Sequence, residues 1–194
     1  TFMSELPLIA VTDSATCPRP LPKQIKRLAK LTELRPQAVI LRAKSLDKAA
    51  YRTLALQAQQ SCEAAGIALI LHSDWQLASK LGIKKLHLPL AILRQLPEYE
   101  RAYFTWLSTS VHSVGEAQEA QALGATVLIA GHIYTTQCKA GLAPRGLGFL
   151  QNVCSDVSLP VYAIGGISFD ASQHAELQAN GARGACVMSA YMRL

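Results

Sequence analysis

The sequence predicts an α/β fold, and within that class a (β/α)8 barrel with short loops. Four times along the chain, a polar, alanine-rich stretch ends in a glycine and passes directly into a short apolar segment. A glycine after the last turn of a helix tolerates the left-handed conformation that closes the helix, so each junction predicts a helix followed by a strand. These glycines are Gly66, Gly82, Gly124 and Gly181.

Four more apolar segments raise the number of predicted strands to eight. Strands that alternate with helices favour a parallel sheet, because parallel neighbours need a crossover connection and a helix usually supplies it. The 194 residues allow about 24 for each of eight units, so the barrel would be a minimal one. A doubly wound open sheet is the structural alternative. The predicted strands cover 8–12, 38–42, the segments after Gly66 and Gly82, 103–108, 127–130, 161–164 and 185–188.

Stretches with a helical spacing of apolar residues separate the strands. Asp74 and Ser113 stand where N-caps are expected, and Glu116 follows Ser113 at the spacing of a capping box. Only six residues follow the eighth predicted strand, which predicts a last helix that is short or absent and favours a homodimer whose second subunit covers the gap. The predicted helices cover 22–34, 46–65, 74–81, 114–123, 147–157 and 169–179.

The composition indicates one globular domain over residues 1–194. Hydrophobic residues make up 50% of the chain and charged residues 16%, which excludes a disordered protein. No apolar run approaches the roughly 20 residues of a membrane-spanning helix, and the first residues lack the pattern of a secretory signal. We therefore expect a cytoplasmic protein without a membrane partner, whose five scattered cysteines are reduced thiols. The net charge of +6 is spread among apolar residues, and aromatic residues are only 6% of the chain, so no nucleic-acid partner is expected.

The predicted barrel also indicates where a ligand would bind. In such barrels the active site lies at the carboxyl ends of the strands, and phosphate sites commonly follow strands seven and eight. Gly165 and Gly166 directly follow the seventh predicted strand, and Met188 and Ser189 stand at the end of the eighth. Adjacent glycines let backbone N–H groups approach an anion closely. These four residues predict a phosphate site, although a pair of glycines is elsewhere often only a turn.

Polar residues that directly follow the other predicted strands are candidates for the same site. His112 follows the fifth, and an imidazole that titrates near neutral pH is suited to proton transfer; a structural histidine is the alternative. The loop 130–146 is the longest at this end, which predicts either a ligand clamp or a solvated excursion. Carboxylates are scarce at this end, so no metal cofactor is expected. Further candidates are Arg42, Lys44, Ser110, His132, Thr136 and Lys139.

Five ordered motifs, spread over nearly the whole chain, resemble those of the thiamine phosphate synthase superfamily, whose members are TIM barrels. Together the motifs are far more specific than any one of them alone. They are LRAKSL at 41–46, LHLPL at 86–90, STSVHS at 108–113, GHIYTTQCK at 131–139 and PVYAIGGIS at 160–168.

Two activities occur on this scaffold. A resemblance to the thiamine phosphate synthases implies the joining of a pyrimidine pyrophosphate to a thiazole phosphate, with Mg²⁺ held by aspartates. At the positions of those aspartates this chain has the pair His72-Ser73 and Ile92. A pyrophosphate leaving group is normally stabilised by a divalent cation, which needs oxygen ligands. Synthase activity is therefore the alternative and not the main prediction.

The departures resemble instead the TenI-type thiazole tautomerases, whose strand-six loop matches GHIYTTQCKAGLAPRG at 131–146. This resemblance implies an isomerase without cofactor or metal that converts a dihydrothiazole carboxylate phosphate into the aromatic thiazole carboxylate phosphate. It assigns His112 as the catalytic acid and base, in the motif SVHS. It implies phosphate binding by Gly165, Gly166, Met188 and Ser189, and binding of the rest of this small-molecule thiazole phosphate by Arg42, Lys44, Ser110, His132, Thr136 and Lys139.

A non-catalytic function is the third possibility. Arg42 and Lys44 match the synthase pattern, which the tautomerases follow less closely at this place. A relative that has lost its activity would bind a thiazole or thiamine phosphate as a regulatory protein.

Overall fold

The computed structural model describes residues 6–137 and 140–194. Within them, eight parallel strands pair in sequence order, and the eighth pairs with the first to close a barrel. The predicted (β/α)8 barrel is therefore confirmed, and the open sheet is excluded. The strands are β1 (Leu8–Val11), β2 (Ala38–Leu41), β3 (Ala68–His72), β4 (Lys85–Pro89), β5 (Trp106–Val111), β6 (Val127–Gly131), β7 (Val161–Ile164) and β8 (Gly184–Val187).

Helices connect successive strands around the outside of the barrel. The segment between β4 and β5, for which no helix was predicted, forms two short helices, and Pro97 precedes the second because proline suits the start of a helix but not its interior. The helices are α1 (Leu21–Leu28), α2 (Lys48–Ala65), α3 (Trp75–Lys80), α4 (Leu90–Gln95), α5 (Glu98–Arg101), α6 (Val114–Ala122), α7 (Gly146–Asp156), α8 (Ala171–Ala179) and α9 (Ser189–Arg193).

The first helix is six residues shorter at its carboxyl end than the predicted range 22–34. Beyond α1, the Arg35 guanidinium donates to the carbonyl oxygens of Ala29 (3.2 Å) and Ala65 (2.6 Å). The Leu34 carbonyl accepts from the Tyr191 hydroxyl at 2.8 Å. The bond to Ala65 ties the segment to the end of α2, and the bond from Tyr191 ties it to α9; a local sequence pattern reveals neither.

The fifth strand begins three residues later than predicted, at Trp106 instead of Tyr103. Tyr103 and Phe104 form an edge-to-face pair with ring centroids 5.1 Å apart and pack against the outer core. Pairing with the neighbouring strand starts only where the Thr105 N–H donates to the Lys84 carbonyl at 2.9 Å. Ser110 consequently lies inside β5 and not after it, while His112 is the first residue beyond the strand.

The predicted helix starts are largely confirmed. The side chains of Asp74 and Ser113 accept from the backbone N–H groups of Leu77 (2.9 Å) and Glu116 (3.1 Å). The capping box is altered, however, because Glu116 Oε2 accepts from the N–H of His112 at 2.6 Å instead of returning to Ser113.

The last helix, α9, has five residues, as the prediction of a short or absent helix requires. The homodimer derived from it stays a prediction.

All four glycines predicted to end helices have positive φ angles, between 64° and 92°. Among the helices of the described ranges, none is long and apolar enough to cross a membrane.

Two apolar cores stabilise the barrel. The larger one lies between the strands and the surrounding helices. The smaller one fills the barrel interior and includes Ile9, Ile70, Val127 and Tyr162, each no more than 5% exposed. The Tyr162 hydroxyl accepts from Gln37 Nε2 at 2.8 Å, which satisfies its polar end inside this core. The interior is thus packed with side chains, and space for a ligand remains at one end.

Candidate active site at the carboxyl end of the barrel

A cavity of about 790 Å³ opens where the strands end. This volume suits a small organic ligand. All ten described residues that the sequence predicted for the site line it, although lining alone does not establish their roles. They are Arg42, Lys44, Ser110, His112, His132, Thr136, Gly165, Gly166, Met188 and Ser189. Lys139 and the neighbouring Cys138 lie outside the described residues.

The turn after β7 has the geometry of an anion site. Gly165 and Gly166 have φ angles of +106° and +68°, which side-chain-bearing residues rarely adopt. Their carbonyl oxygens accept from Tyr134 N (2.9 Å) and Gln173 Nε2 (3.0 Å). Neither glycine N–H has a hydrogen-bond partner among the described residues. Two such donors beside a cavity can bind the oxygens of a phosphate.

The loop after β6 is fastened to this turn. The N–H groups of Ile133 and Tyr134 donate to the carbonyls of Ile164 and Gly165, both at 2.9 Å. A Cβ atom on Gly165 would overlap His132, which shows how closely the two backbones approach. The turn after β7 and the start of the loop after β6 are therefore held together by their backbones.

His132 is 5% exposed and lies under this loop. Its Nε2 lies 3.4 Å from the Leu142 carbonyl oxygen. Since a carbonyl oxygen can only accept, Nε2 is the donor of this bond. Nδ1 of the same ring is buried without a hydrogen-bond partner in the described part of the chain.

The cationic side of the cavity is formed after β2. Arg42 Nη1 contacts Asp13 Oδ1 at 3.4 Å, and Asp13 Oδ2 accepts from the Thr16 hydroxyl at 2.6 Å. Lys44, two residues further on, also lines the cavity and is exposed to solvent. The two side chains line the same cavity as the turn after β7 and can offer positive charge to an anionic group there.

His112 directly follows β5 and contacts the first turn of α6. Its Nδ1 lies 3.2 Å from Glu116 Oε2, and the same oxygen accepts from its backbone N–H. Both side chains are about one-third exposed, at 39% and 35%. Glu116 lines the cavity but was predicted only as a helix cap. Its position four residues after a candidate base on a helix start was the available signal.

Two further histidines, His72 and His87, form a cluster in the cavity. His87 is 5% exposed, and its two ring nitrogens contact the hydroxyls of Ser108 (2.9 Å) and Ser110 (3.0 Å). The ring of His72 stands 5.4 Å away, and its Nδ1 contacts the Ser73 hydroxyl at 2.8 Å. Burial and the charges of Arg42 and Lys44 lower the pKa of His72 to about 4.

Burial, together with the neighbouring His72, lowers the pKa of His87 to about 3. Both histidines of the cluster are thus neutral near pH 7. A neutral imidazole has one donor and one acceptor nitrogen, so one serine partner of His87 accepts and the other donates. The two rings therefore line the cavity as uncharged groups that form hydrogen bonds.

Because the pKa values of both histidines are lowered, we expect the free energy of unfolding to fall in acid. Between pH 6.5 and about 4 the unfolded chain takes up protons on His72 and His87 that the folded chain excludes, so the free energy of unfolding falls as the pH falls. Above pH 6.5 the contribution is fully present. Urea unfolding at pH 7.5 and pH 4.5 measures the difference. His87→Asn should give a smaller difference than the wild type, and equal differences would contradict the assignment.

The donor groups of the cavity do not suit Mg²⁺, the ion that the synthase resemblance implies. Magnesium prefers carboxylate and other oxygen ligands in octahedral geometry. Where the synthases carry aspartates, this chain presents the imidazole and hydroxyl of His72 and Ser73 and the alkyl side chain of Ile92. Glu116, a carboxylate on the cavity wall, is bonded to His112. In the described ranges, no group of three histidine, cysteine or acidic side chains could hold a metal ion.

Comparison with known proteins identifies the family. The thiamine monophosphate synthase family model matches residues 8–191. A thiamine-phosphate synthase of Listeria monocytogenes serotype 4b is 35% identical over 161 residues, which are 78% of this chain and 72% of that protein. A second, from Syntrophomonas wolfei, is 29% identical over 160 residues, or 79% of this chain and 74% of the relative. The names of these relatives favour the synthase over the tautomerase.

A solved structure shows the same fold. A thiamine phosphate pyrophosphorylase from Pyrococcus furiosus superposes with a TM-score of 0.79 and 23% identity, and the match covers 99% of this chain and 90% of that one. At this identity the likeness concerns the fold alone. The family match along the sequence confirms the resemblance found in the motifs. The chain belongs to the thiamine monophosphate synthase family.

Proposed function

We propose that this member of the family is a thiazole tautomerase. It would convert a dihydrothiazole carboxylate phosphate into the aromatic thiazole carboxylate phosphate by proton transfer through His112. The observation that carries the proposal is the pairing of His112 with Glu116 in a cavity whose donor groups do not suit Mg²⁺. Proton transfer needs a positioned imidazole and no metal, whereas departure of pyrophosphate normally needs the metal.

The proposed reaction balances without a co-reactant. The C–H bond at the ring carbon bearing the carboxylate breaks, and its proton passes to His112. The electron pair moves through the conjugated system, and a new C–H bond forms at the exocyclic carbon with the proton that His112 returns. The ring becomes aromatic, which favours the product.

Each end of the proposed substrate has a complementary part of the cavity. The phosphate would bind the N–H groups of Gly165 and Gly166, near Ser189. The carboxylate would face Arg42 and Lys44, whose positive charge also stabilises the negative charge that develops when the proton leaves. With these placements the reacting carbons would lie between the two anion sites, in the cavity that His112 also lines.

Thiamine phosphate synthesis is the second candidate function. The names of the relatives favour it, and Arg42 and Lys44 match the synthase pattern. The missing carboxylates oppose it, because departure of the pyrophosphate would have to proceed without a divalent cation held by them.

Two assays on the same preparation separate the candidates. The first follows the ultraviolet change on aromatisation of the dihydrothiazole carboxylate phosphate. The second supplies pyrimidine pyrophosphate, thiazole phosphate and Mg²⁺ and measures thiamine phosphate. We expect turnover in the first assay and none in the second. Synthase turnover without isomerisation would overturn the proposal, as would tight thiamine phosphate binding in calorimetry with no turnover in either assay.

A further inference from the structure

Glu116 contacts His112 through one oxygen that accepts two hydrogen bonds. Oε2 lies 2.6 Å from the His112 backbone nitrogen and 3.2 Å from its Nδ1. The bond from the backbone N–H stabilises the start of α6, and a helix cap alone would account for it. The second bond involves the imidazole ring itself and has no part in capping.

We propose that Glu116 is a positioning residue that fixes which nitrogen of His112 exchanges protons with the substrate. An ionised carboxylate has acceptors only, so the nitrogen facing it must carry the hydrogen. Nδ1 is therefore the protonated nitrogen, and Nε2 keeps its lone pair. The inference rests on the proposed function, since it assigns the reacting atom of the proposed base.

The assignment specifies the course of the proton. Nε2 takes it from the ring carbon, and the imidazolium that forms keeps its Nδ1 proton on the side of Glu116. The carboxylate stabilises this cation, as the buried aspartate does in a serine protease triad. Nε2 then returns the same proton to the exocyclic carbon. Glu116 neither gains nor loses a proton in the cycle.

Two substitutions separate the charge of Glu116 from its two hydrogen bonds to His112. Glu116→Gln keeps a carbonyl oxygen that can accept both bonds, so the cap survives and only the charge is lost. Glu116→Ala removes both bonds. Glu63→Gln is the matched control, because it makes the same change on α2, away from the cavity.

The tautomer can be measured directly by ¹⁵N NMR of the histidine rings at pH 8.5, with His112 assigned by its loss in His112→Asn. We expect the Nδ1–H form in the wild type, in Glu63→Gln and in Glu116→Gln. In Glu116→Ala the Nε2–H form should appear. A wild-type His112 in the Nε2–H form would overturn the proposal, whatever the activity. So would a Glu116→Ala spectrum identical to that of the wild type.

Kinetics give the second measurement. Glu116→Ala should lower kcat roughly ten-fold or more, which is less than loss of the imidazole itself, while KM changes little. Glu116→Gln should fall between Glu116→Ala and the wild type. Equal kcat in all variants would overturn the positioning function. If the wild type has no tautomerase activity but the tautomer shifts as expected, the proposed function fails and the control of the ring by Glu116 stands.

Discussion

His112→Ala is expected to lower the tautomerase rate by about 10² to 10⁴, the range typical for one general acid and base. The substitution removes the group that, in the proposed mechanism, both takes up and returns the proton. The imidazole is about one-third exposed and contributes to neither apolar core, so the fold should remain intact. Steady-state rates from the ultraviolet change at aromatisation, with wild type and variant at equal concentration, measure the effect.

Ligand binding distinguishes this loss from a general disturbance of the cavity. Thiazole phosphate should bind His112→Ala with nearly the wild-type Kd, because its phosphate is expected at Gly165 and Gly166. Calorimetry provides that comparison. Turnover close to that of the wild type would remove His112 from the mechanism. A parallel loss of affinity would mean that the residue shapes the site instead of carrying the proton.

Gly165→Ala is the second substitution with a large expected effect. The backbone at Gly165 has a φ of +106°, and a Cβ there would overlap the His132 backbone. Strain of this kind costs about 1 to 3 kcal/mol at one position. We expect a comparable loss in the free energy of unfolding and at least roughly ten-fold weaker binding of thiazole phosphate, because a shift of the turn misdirects its N–H groups.

Gly148→Ala is the matched control for this substitution. Gly148 lies within α7, and a Cβ there would meet nothing within 4 Å. Alanine favours a helix over glycine by up to about 1 kcal/mol, so this variant should be as stable as the wild type or more stable. Urea unfolding and calorimetry compare the two variants. Unchanged phosphate binding in Gly165→Ala would contradict the assignment of the turn.

The sequence predicted the parts of the fold that depend on local chemistry. The glycines at the helix ends and the acidic and hydroxyl caps at Asp74 and Ser113 were recognisable, because each satisfies backbone needs within a few residues. The start of β5 was not, since Tyr103, Phe104 and Trp106 are all aromatic residues that suit a strand. Only packing decides that the first two face the outer core and that pairing begins beyond them.

Most residues that line the candidate site could be predicted from their positions directly after strands. Strand ends converge in a closed barrel, so a list of polar residues after strands becomes a list of cavity residues. The contact between Glu116 and the His112 ring was hidden, because the spacing of Glu116 from Ser113 already suited a cap. The neutral state of His87 was also hidden, since it depends on burial among side chains from several strands.

The packed interior of the barrel has a consequence for turnover. Side chains such as Ile9, Val127 and Tyr162 fill the axis, so the described part of the chain offers no passage from one end to the other. Substrate and product must share a single entrance. In the proposed reaction, accumulated aromatic product would compete with substrate for this one cavity, and it should raise the apparent KM without lowering the maximal velocity.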